Sequence, residues 1–365
     1  MSNQNIFKTY SLGCRVNQAE LENITLQLEN AGYVCDQNNA KPDFVLLNTC
    51  VVTQKAEKET RKEMRKLRRL YPKSKLIVLG CAVNAKKEFG SKMPAADYFI
   101  NNQNKSETIK IITNLFPVTN KPLASPFKDK YQKSDKVLIK IQDGCNYLCS
   151  YCIVPSLRGK SESVPINNII NQINNCKLTE IKEIILTGVN LSLYGKDLKP
   201  KVSFLDLLNK ILKETKIKKI SLTSLDPQLI NKEFVHLLIA DHRLSRNLHF
   251  SLQSGSPTVL KRMNRNSNLK NFVKYLNQLK TKDSNFIFSA DIIVGFPSES
   301  ENEFQETVLL IKQIKLKRAH LFRFSPRPGT LAFQKIQKGE WHDSPLEAKK
   351  EKMKIINHLF ENQFK

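Results

Sequence analysis

Asp143-Gly144-Cys145-Asn146-Tyr147-Leu148-Cys149-Ser150-Tyr151-Cys152 places three thiols separated by three and then two residues. Three is one short of the four ligands that a closed tetrahedral zinc site or an ordinary four-thiolate iron–sulfur cluster requires. A cube of four irons held by three cysteines keeps one iron unligated by protein, and a small molecule can bind and react there. The zinc alternative lacks a histidine at ligand spacing as well as the fourth thiol.

Outward from this stretch, the chain alternates strand and helix. Strands are expected at 137–141, 183–187, 219–223, 247–252, 286–294 and 318–324. Helices are expected between them, centred near Ile170, Leu208, Val235, Val273 and Val308. Six βα repeats predict a parallel barrel or partial barrel over 135–340, with its site at the carboxyl ends of the strands. The three-cysteine loop follows the first of these strands. Thr187-Gly188-Val189-Asn190 follows the second, Gln253-Ser254-Gly255-Ser256 the fourth and Gly295-Phe296-Pro297 the fifth. Small and polar residues there let backbone approach a ligand and hydrogen-bond it; turn chemistry alone would also favour them.

Upstream, a second alternating series occupies residues 1–116. Ile6 to Leu12, Phe44 to Asn48, Leu76 to Leu79 and Asp97 to Ile100 read as strands of an open parallel sheet. Helices are expected at 17–30, 54–71 and 105–115. Cys14, Cys50 and Cys81 each stand just past the carboxyl end of a strand, the edge at which such sheets bind ligands. Thiols distant in sequence can converge there, and although free cysteines are commonly buried hydrophobes, three in the same position on three strands favour a second metal cluster. Cys35 and Cys176 lack this placement and read as structural. Residues 117–134 carry three prolines among polar residues and read as a linker, and a charged amphipathic helix is expected over 341–365.

The chain has 365 residues, with 59 Lys and Arg against 34 Asp and Glu, a formal charge of +25. Such an excess points to a polyanionic partner, most simply nucleic acid. The helix over 54–71 concentrates it, with Arg61, Lys62, Arg65, Lys66, Arg68 and Arg69 in the reach of one another. No signal peptide and no apolar run near ~20 residues is evident, so the expected place is the cytoplasm, with no membrane association. Thiols stay reduced there, and eight cysteines argue for metal rather than disulfides. The six histidines are scattered without paired metal spacing and receive no role.

The motifs together resemble the radical S-adenosylmethionine (SAM) methylthiotransferase family over essentially the whole chain. Gly13 to Gln18, Asn48 to Thr53 and Leu79-Gly80-Cys81 resemble its N-terminal domain. Gly144 to Gly159, Leu186 to Asn190, Leu252 to Ser256, Lys261 to Arg265, Asp291 to Pro297 and Ser325 to Thr330 resemble its catalytic domain. The resemblance implies a catalytic [4Fe–4S] cluster on Cys145, Cys149 and Cys152, and an auxiliary [4Fe–4S] cluster on Cys14, Cys50 and Cys81. It also implies SAM near Thr187, Gly188, Asn190, Gln253, Ser254, Gly295, Phe296 and Pro297. The reaction implied is replacement of hydrogen on an unactivated carbon by a methylthio group, with an electron donor such as flavodoxin or ferredoxin.

Branches of the family act on threonylcarbamoyladenosine or isopentenyladenosine beside the tRNA anticodon, or on an aspartate of a ribosomal protein. Arg15 to Gln18 and Thr49 to Thr53 resemble the first branch. The family usually adds a small C-terminal RNA-gripping barrel, TRAM, and the chain is expected to end before it, leaving RNA affinity to the basic surface. It also has Lys160-Ser161-Glu162-Ser163-Val164 where the family tends to carry arginines. The competing classes are an RNA-binding protein with purely structural clusters and a zinc-bound interaction module.

Overall fold

The computed structural model describes residues 5–38, 41–118, 135–176 and 181–362. The expected linker lies largely outside the described residues. The chain forms two units: residues 1–140 with 154–160, and residues 141–153 with 161–365. The short helix Val154–Arg158 thus joins the first unit, although a division at residue 135 assigns it to the second.

In the first unit, strands β1 (Ile6–Ser11), β2 (Val34–Cys35), β3 (Phe44–Thr49), β4 (Lys75–Gly80) and β5 (Tyr98–Ile100) form a sheet in the order β2-β1-β3-β4-β5. All neighbours are parallel. Helices α1 (Arg15–Asn30), α2 (Gln54–Leu70), α3 (Cys81–Phe89) and α4 (Thr108–Leu115) connect them. β3 is buried along its whole length because both faces of the sheet are covered. Phe44 and Leu46 join Leu21, Ile24 and Leu28 of α1 and Ile112 of α4. Val45 and Leu47, one residue out of phase, join Met64 and Leu67 of α2. At about 25 cal/mol per Å² of apolar surface, this two-sided burial is what holds the central strand.

The second unit uses β6 (Lys136–Asp143), in which the division between the units falls, β7 (Glu162–Ser163), β8 (Glu183–Gly188), β9 (Lys219–Leu222), β10 (Asn247–Gln253), β11 (Ile287–Val294) and β12 (Arg318–Arg323). They form sheets in the orders β7-β6-β8-β9 and β10-β11-β12. Parallel bridges Ile220↔Leu244 and Leu225↔Phe250 carry the curve from β9 toward β10. β7 is antiparallel to the end of β6. Phe250 of β10 meets Phe272 of the helix Leu269–Lys282 edge-on at 5.0 Å. Strand side chains alternate, so His249 and Ser251 face away from that helix, onto the inner surface. Among the described residues no helix is long and apolar enough to cross a membrane.

Candidate metal centres and ligand site

In the first unit, Cys14 is the N-cap of α1 and Cys81 opens α3, while Cys50 precedes Thr53, the N-cap of α2. Each thiol therefore stands where a parallel strand hands over to a helix amino end, whose partial positive charge suits thiolates. Two glycines set the spacing. Gly13 has φ of +88°, and a Cβ there would lie 2.2 Å from Cys50 Cβ. Gly80 has φ of +97°, and its Cβ would lie 2.5 Å from Asn48 Oδ1. Only glycine allows both the left-handed turn and these approaches. Burial pushes the Cys50 thiol up to about 12, with the nearby Cys81 and Cys14 adding to it and Arg158 opposing.

Polar residues inside the apolar strand tie the three loops together. Asn48 and Thr49 are fully buried. Asn48 Nδ2 donates to Asn17 O at 2.8 Å, and Asn17 Nδ2 donates to Leu12 O at 2.9 Å and Thr49 O at 2.8 Å. Thr49 Oγ1 donates to Leu79 O at 2.7 Å and accepts from Ala82 N at 3.1 Å. Thr60 of α2 donates to Cys50 O at 2.8 Å. Sequence reading quoted Asn17, Asn48 and Thr49 only as members of family motifs, gave them no structural role, and did not mark Thr60 at all. Their signal was a polar pair closing a continuous apolar run.

Beside them lies a buried ion cluster. Glu20 of α1 accepts from Lys140 at 2.8 Å and Arg158 at 3.0 Å, and pairs with Lys105 at 2.5 Å. Burial alone would raise its carboxyl, but Lys105, Arg158 and Lys140 hold it well below the usual carboxylate range. Arg158 also donates to Asn17 Oδ1, so its guanidinium is fixed near Cys50.

In the second unit, Cys145, Cys149 and Cys152 occupy the loop after β6, all partly accessible. Gly144, at φ of +62°, starts the turn, its N–H donating to Asp143 Oδ1 at 2.7 Å. Gln142, fully buried, donates to Gly144 O at 2.7 Å and Ser161 Oγ at 2.9 Å, and its Oε1 accepts from Asn190 N at 2.9 Å. The cysteine loop and the end of β8 are thereby fixed to one another. Asn190 Nδ2 reaches Cys145 Sγ at 3.9 Å. On the far side, Ser150 N donates to Met263 O at 3.0 Å, and Asn264 Nδ2 donates to Leu148 O at 2.8 Å. Burial pushes the Cys145 and Cys149 thiols up, while Arg265 pulls both down. Arg265 is held by Asp226 at 2.8 Å and by Ser251 O at 2.9 Å. Neither Gln142 nor Arg265 was assigned a role from sequence.

The remaining expected ligand residues separate into two groups. Thr187 is buried at the end of β8, and its hydroxyl has no hydrogen-bond partner among the described residues, nor has that of Thr223 just past β9. Gly188 leaves room for Gln142, whose Oε1 would lie 3.0 Å from a Cβ there. Gln253 takes a φ of +72° at the tip of β10. Ser254 is fully buried against Thr307 Oγ1 at 3.2 Å and Ser256 N at 3.1 Å. Gly295 N donates to Glu299 at 3.1 Å. Phe296, next to Pro297, packs against Phe324 at 5.4 Å and Trp341 at 5.6 Å. Unpaired buried hydroxyls, three accessible thiols and a nearby guanidinium fit a polar ligand above an iron–sulfur cluster. Of the two other cysteines, Cys176 donates to Gln172 O at 3.3 Å and Cys35 is buried on β2 beside Gln37.

Residues 7–101 match the family described as uncharacterized protein family UPF0004, and residues 139–311 match the radical SAM superfamily. A solved structure of the radical SAM methyltransferase TsrM from Kitasatospora setae shares the fold. Its TM-score is 0.65 at 12% identity, over 92% of this chain and 78% of that one. Fold and site thus define a radical SAM enzyme.

Curated relatives narrow the class. The threonylcarbamoyladenosine tRNA methylthiotransferase MtaB of Rickettsia prowazekii is 32% identical over 97% of this chain and 82% of its own length. The protein of the same name from Thermotoga maritima is 33% identical over 95% and 80%. The tRNA-2-methylthio-N(6)-dimethylallyladenosine synthase of Thermosipho melanesiensis is 33% identical over 90% and 77%. The chain belongs to the radical SAM tRNA methylthiotransferase family.

Proposed function

We propose that this enzyme inserts a methylthio group at carbon two of N6-threonylcarbamoyladenosine, next to the anticodon of tRNA. The observation that carries the reading is the pair of three-thiol sites, each on strand-end loops and neither with a fourth thiol among the described cysteines. Cys145, Cys149 and Cys152 would hold one [4Fe–4S] cluster, and Cys14, Cys50 and Cys81 the other. Bound there with SAM, these groups supply radical activation of an unreactive C–H bond and the sulfur that replaces the hydrogen.

The chain's own residues supply position and charge. Gln142 and Asn190 fix the catalytic loop against β8. Thr187 and Thr223 offer hydroxyls to a polar ligand, and Arg265 sets a cation beside Cys149. Arg158, held by Glu20, does the same for Cys50. The electron would come from a flavodoxin or ferredoxin, and the cytoplasm, where thiols stay reduced, suits two thiolate-held clusters. An anticodon loop suits it because the target base there is already single-stranded.

Anaerobic reconstitution tests the assignment. The protein should take up about eight irons, and the triple Cys145, Cys149 and Cys152→Ala variant about four. Eight irons in that variant would remove these thiols from the site. Cys50→Ala should still form 5′-deoxyadenosine from SAM yet make no methylthiolated RNA, because the two trios do separate chemistry. Product formed at the parent rate would end the auxiliary role.

A further inference from the structure

Three side chains that sequence spacing left apart meet on the inner face of the second unit. His249 stands on β10, Asp291 on β11 and His320 on β12. Parallel register sets Asp291 opposite His320, and His249 opposite Ser289. His249 Nε2 lies 3.0 Å from Asp291 Oδ1, and His320 Nδ1 lies 3.4 Å from the same oxygen. His249 Nδ1 is 2.9 Å from Ser289 Oγ. The adjacent residues Leu248, Phe250, Ala290 and Ile292 point the other way and are buried.

The trio is not sealed in a core. His249 and Asp291 side chains keep 21% and 20% of their exposure, and His320 keeps 57%. With Nδ1 turned to Asp291 and more than half of the side chain exposed, His320 is within reach of a ligand. A hydrocarbon against this face would strip water from two imidazoles and a carboxylate without replacing the lost hydrogen bonds. A ligand with its own carboxylate and hydroxyl can replace them, since imidazole nitrogens and a carboxylate together offer it both donors and acceptors. Sites that hydrogen-bond a substrate polar group reject the analogue lacking it far more strongly than apolar pockets reject a change of size.

We propose that His249, Asp291 and His320 recognise the carboxylate- and hydroxyl-bearing substituent of the target adenosine, and so select a threonylcarbamoyl group over a hydrocarbon one. His320 contacts the acid, and Asp291 orients both rings. The inference rests on the substrate reading above and deepens it.

The test uses reconstituted full-length enzyme and anticodon stem-loop RNAs. One RNA carries threonylcarbamoyladenosine, one its methyl ester and one isopentenyladenosine. His320→Leu should lose about tenfold or more in kcat/KM on the acid-bearing RNA, and the preference over isopentenyladenosine should collapse. On the methyl ester the parent should already be weakened, and His320→Leu should weaken it little further, because both changes remove one contact. His320→Gln should restore part of the loss. Iron content and melting temperature of each variant separate a folded enzyme from an unfolded one. Equal losses on all three RNAs, or additive effects of ester and variant, would overturn the proposal. So would an equivalent of manganese or zinc bound by the parent and lost in His249→Gln, which would make the trio a metal site. A parent enzyme that modified only isopentenyladenosine RNA would instead refute the substrate reading itself.

Discussion

Asn48 and Thr49 are the residues on which the geometry of the proposed auxiliary site depends most directly. Each bridges two of the loops that bear Cys14, Cys50 and Cys81, and each is buried where no water replaces a lost partner. Asn48→Ala removes the side-chain donor to Asn17 O, and Thr49→Val removes both the donor to Leu79 O and the acceptor of Ala82 N. Each should destabilise the first unit by about 1–3 kcal/mol. Each should also lower reconstituted iron from about eight toward about four, read by iron and sulfide analysis. Gly13→Ala should be more severe, since its Cβ would fall inside Cys50 and its φ is positive. A Gly13→Ala enzyme with a full complement of iron would show that the Gly13–Cys50 contact does not matter. The cysteines were legible in sequence because their types and strand-end positions announce them. The lacing residues were not, because a buried Asn or Thr declares its partner only once neighbouring loops are in place. His249 and His320 stayed illegible for the same reason: separate strands bring them onto one face.

At the scale of elements, the alternating pattern was legible wherever burial is periodic or continuous, as in β3 and β11. α3 was not read, because it is short and opens directly from Gly80, whose positive φ gives no helix-capping signal. β2 and β7 have two residues each, too few to show any period. The contact of α2 with β4 and β5 yields a pH prediction. Asp97 accepts from Leu76 N at 2.8 Å and pairs with Arg68 and Lys75. Burial alone would raise its carboxyl, but Arg68, the Leu76 N–H and Lys75 bring it down to about 2 from an ordinary 3.8. A carboxyl lowered on folding stabilises above its unfolded value and loses that contribution as pH falls through its folded value. The contribution should therefore be full above about pH 4 and vanish toward pH 2. Because the pair is partly solvated, it should be worth only about 1 kcal/mol. Asp97→Asn should lower the melting temperature at pH 7 and narrow its difference from the parent as the pH falls toward 2. A difference that stayed constant with pH would assign the effect to packing instead.

For the molecule as a whole, a charge of +25 suits a polyanionic partner, and α2 is where the structure concentrates it. Arg61, Arg65 and Arg69 stand four residues apart on one face. Arg65 and Arg69 are exposed, whereas Arg61 is half-buried and shares its charge with Glu57 at 2.6 Å. Arg61 and Arg65 line a cavity of about 490 Å³ with Lys92, Met93 and Pro94, roomy enough for a phosphate and its neighbouring sugar. Lys66 and Arg68 are engaged with Glu63 and Asp97, and Arg61 with Glu57, which leaves Arg65 and Arg69 as the better phosphate contacts of this face. Affinity for anticodon stem-loop RNA should fall steeply with salt, because each phosphate contact releases condensed counterions. Changing Arg61, Arg65 and Arg69 together to Gln should weaken binding and flatten the logarithmic salt slope by about two, and by no more than about three. Most of that change should come from Arg65 and Arg69, since Glu57 already neutralises Arg61. Stem-loop RNA should bind nearly as well as whole tRNA, because the contacts needed lie around the loop. Titrations of parent and variant at several salt concentrations measure both quantities. An unchanged slope would mean that this helix face meets solvent and that another basic surface carries the tRNA.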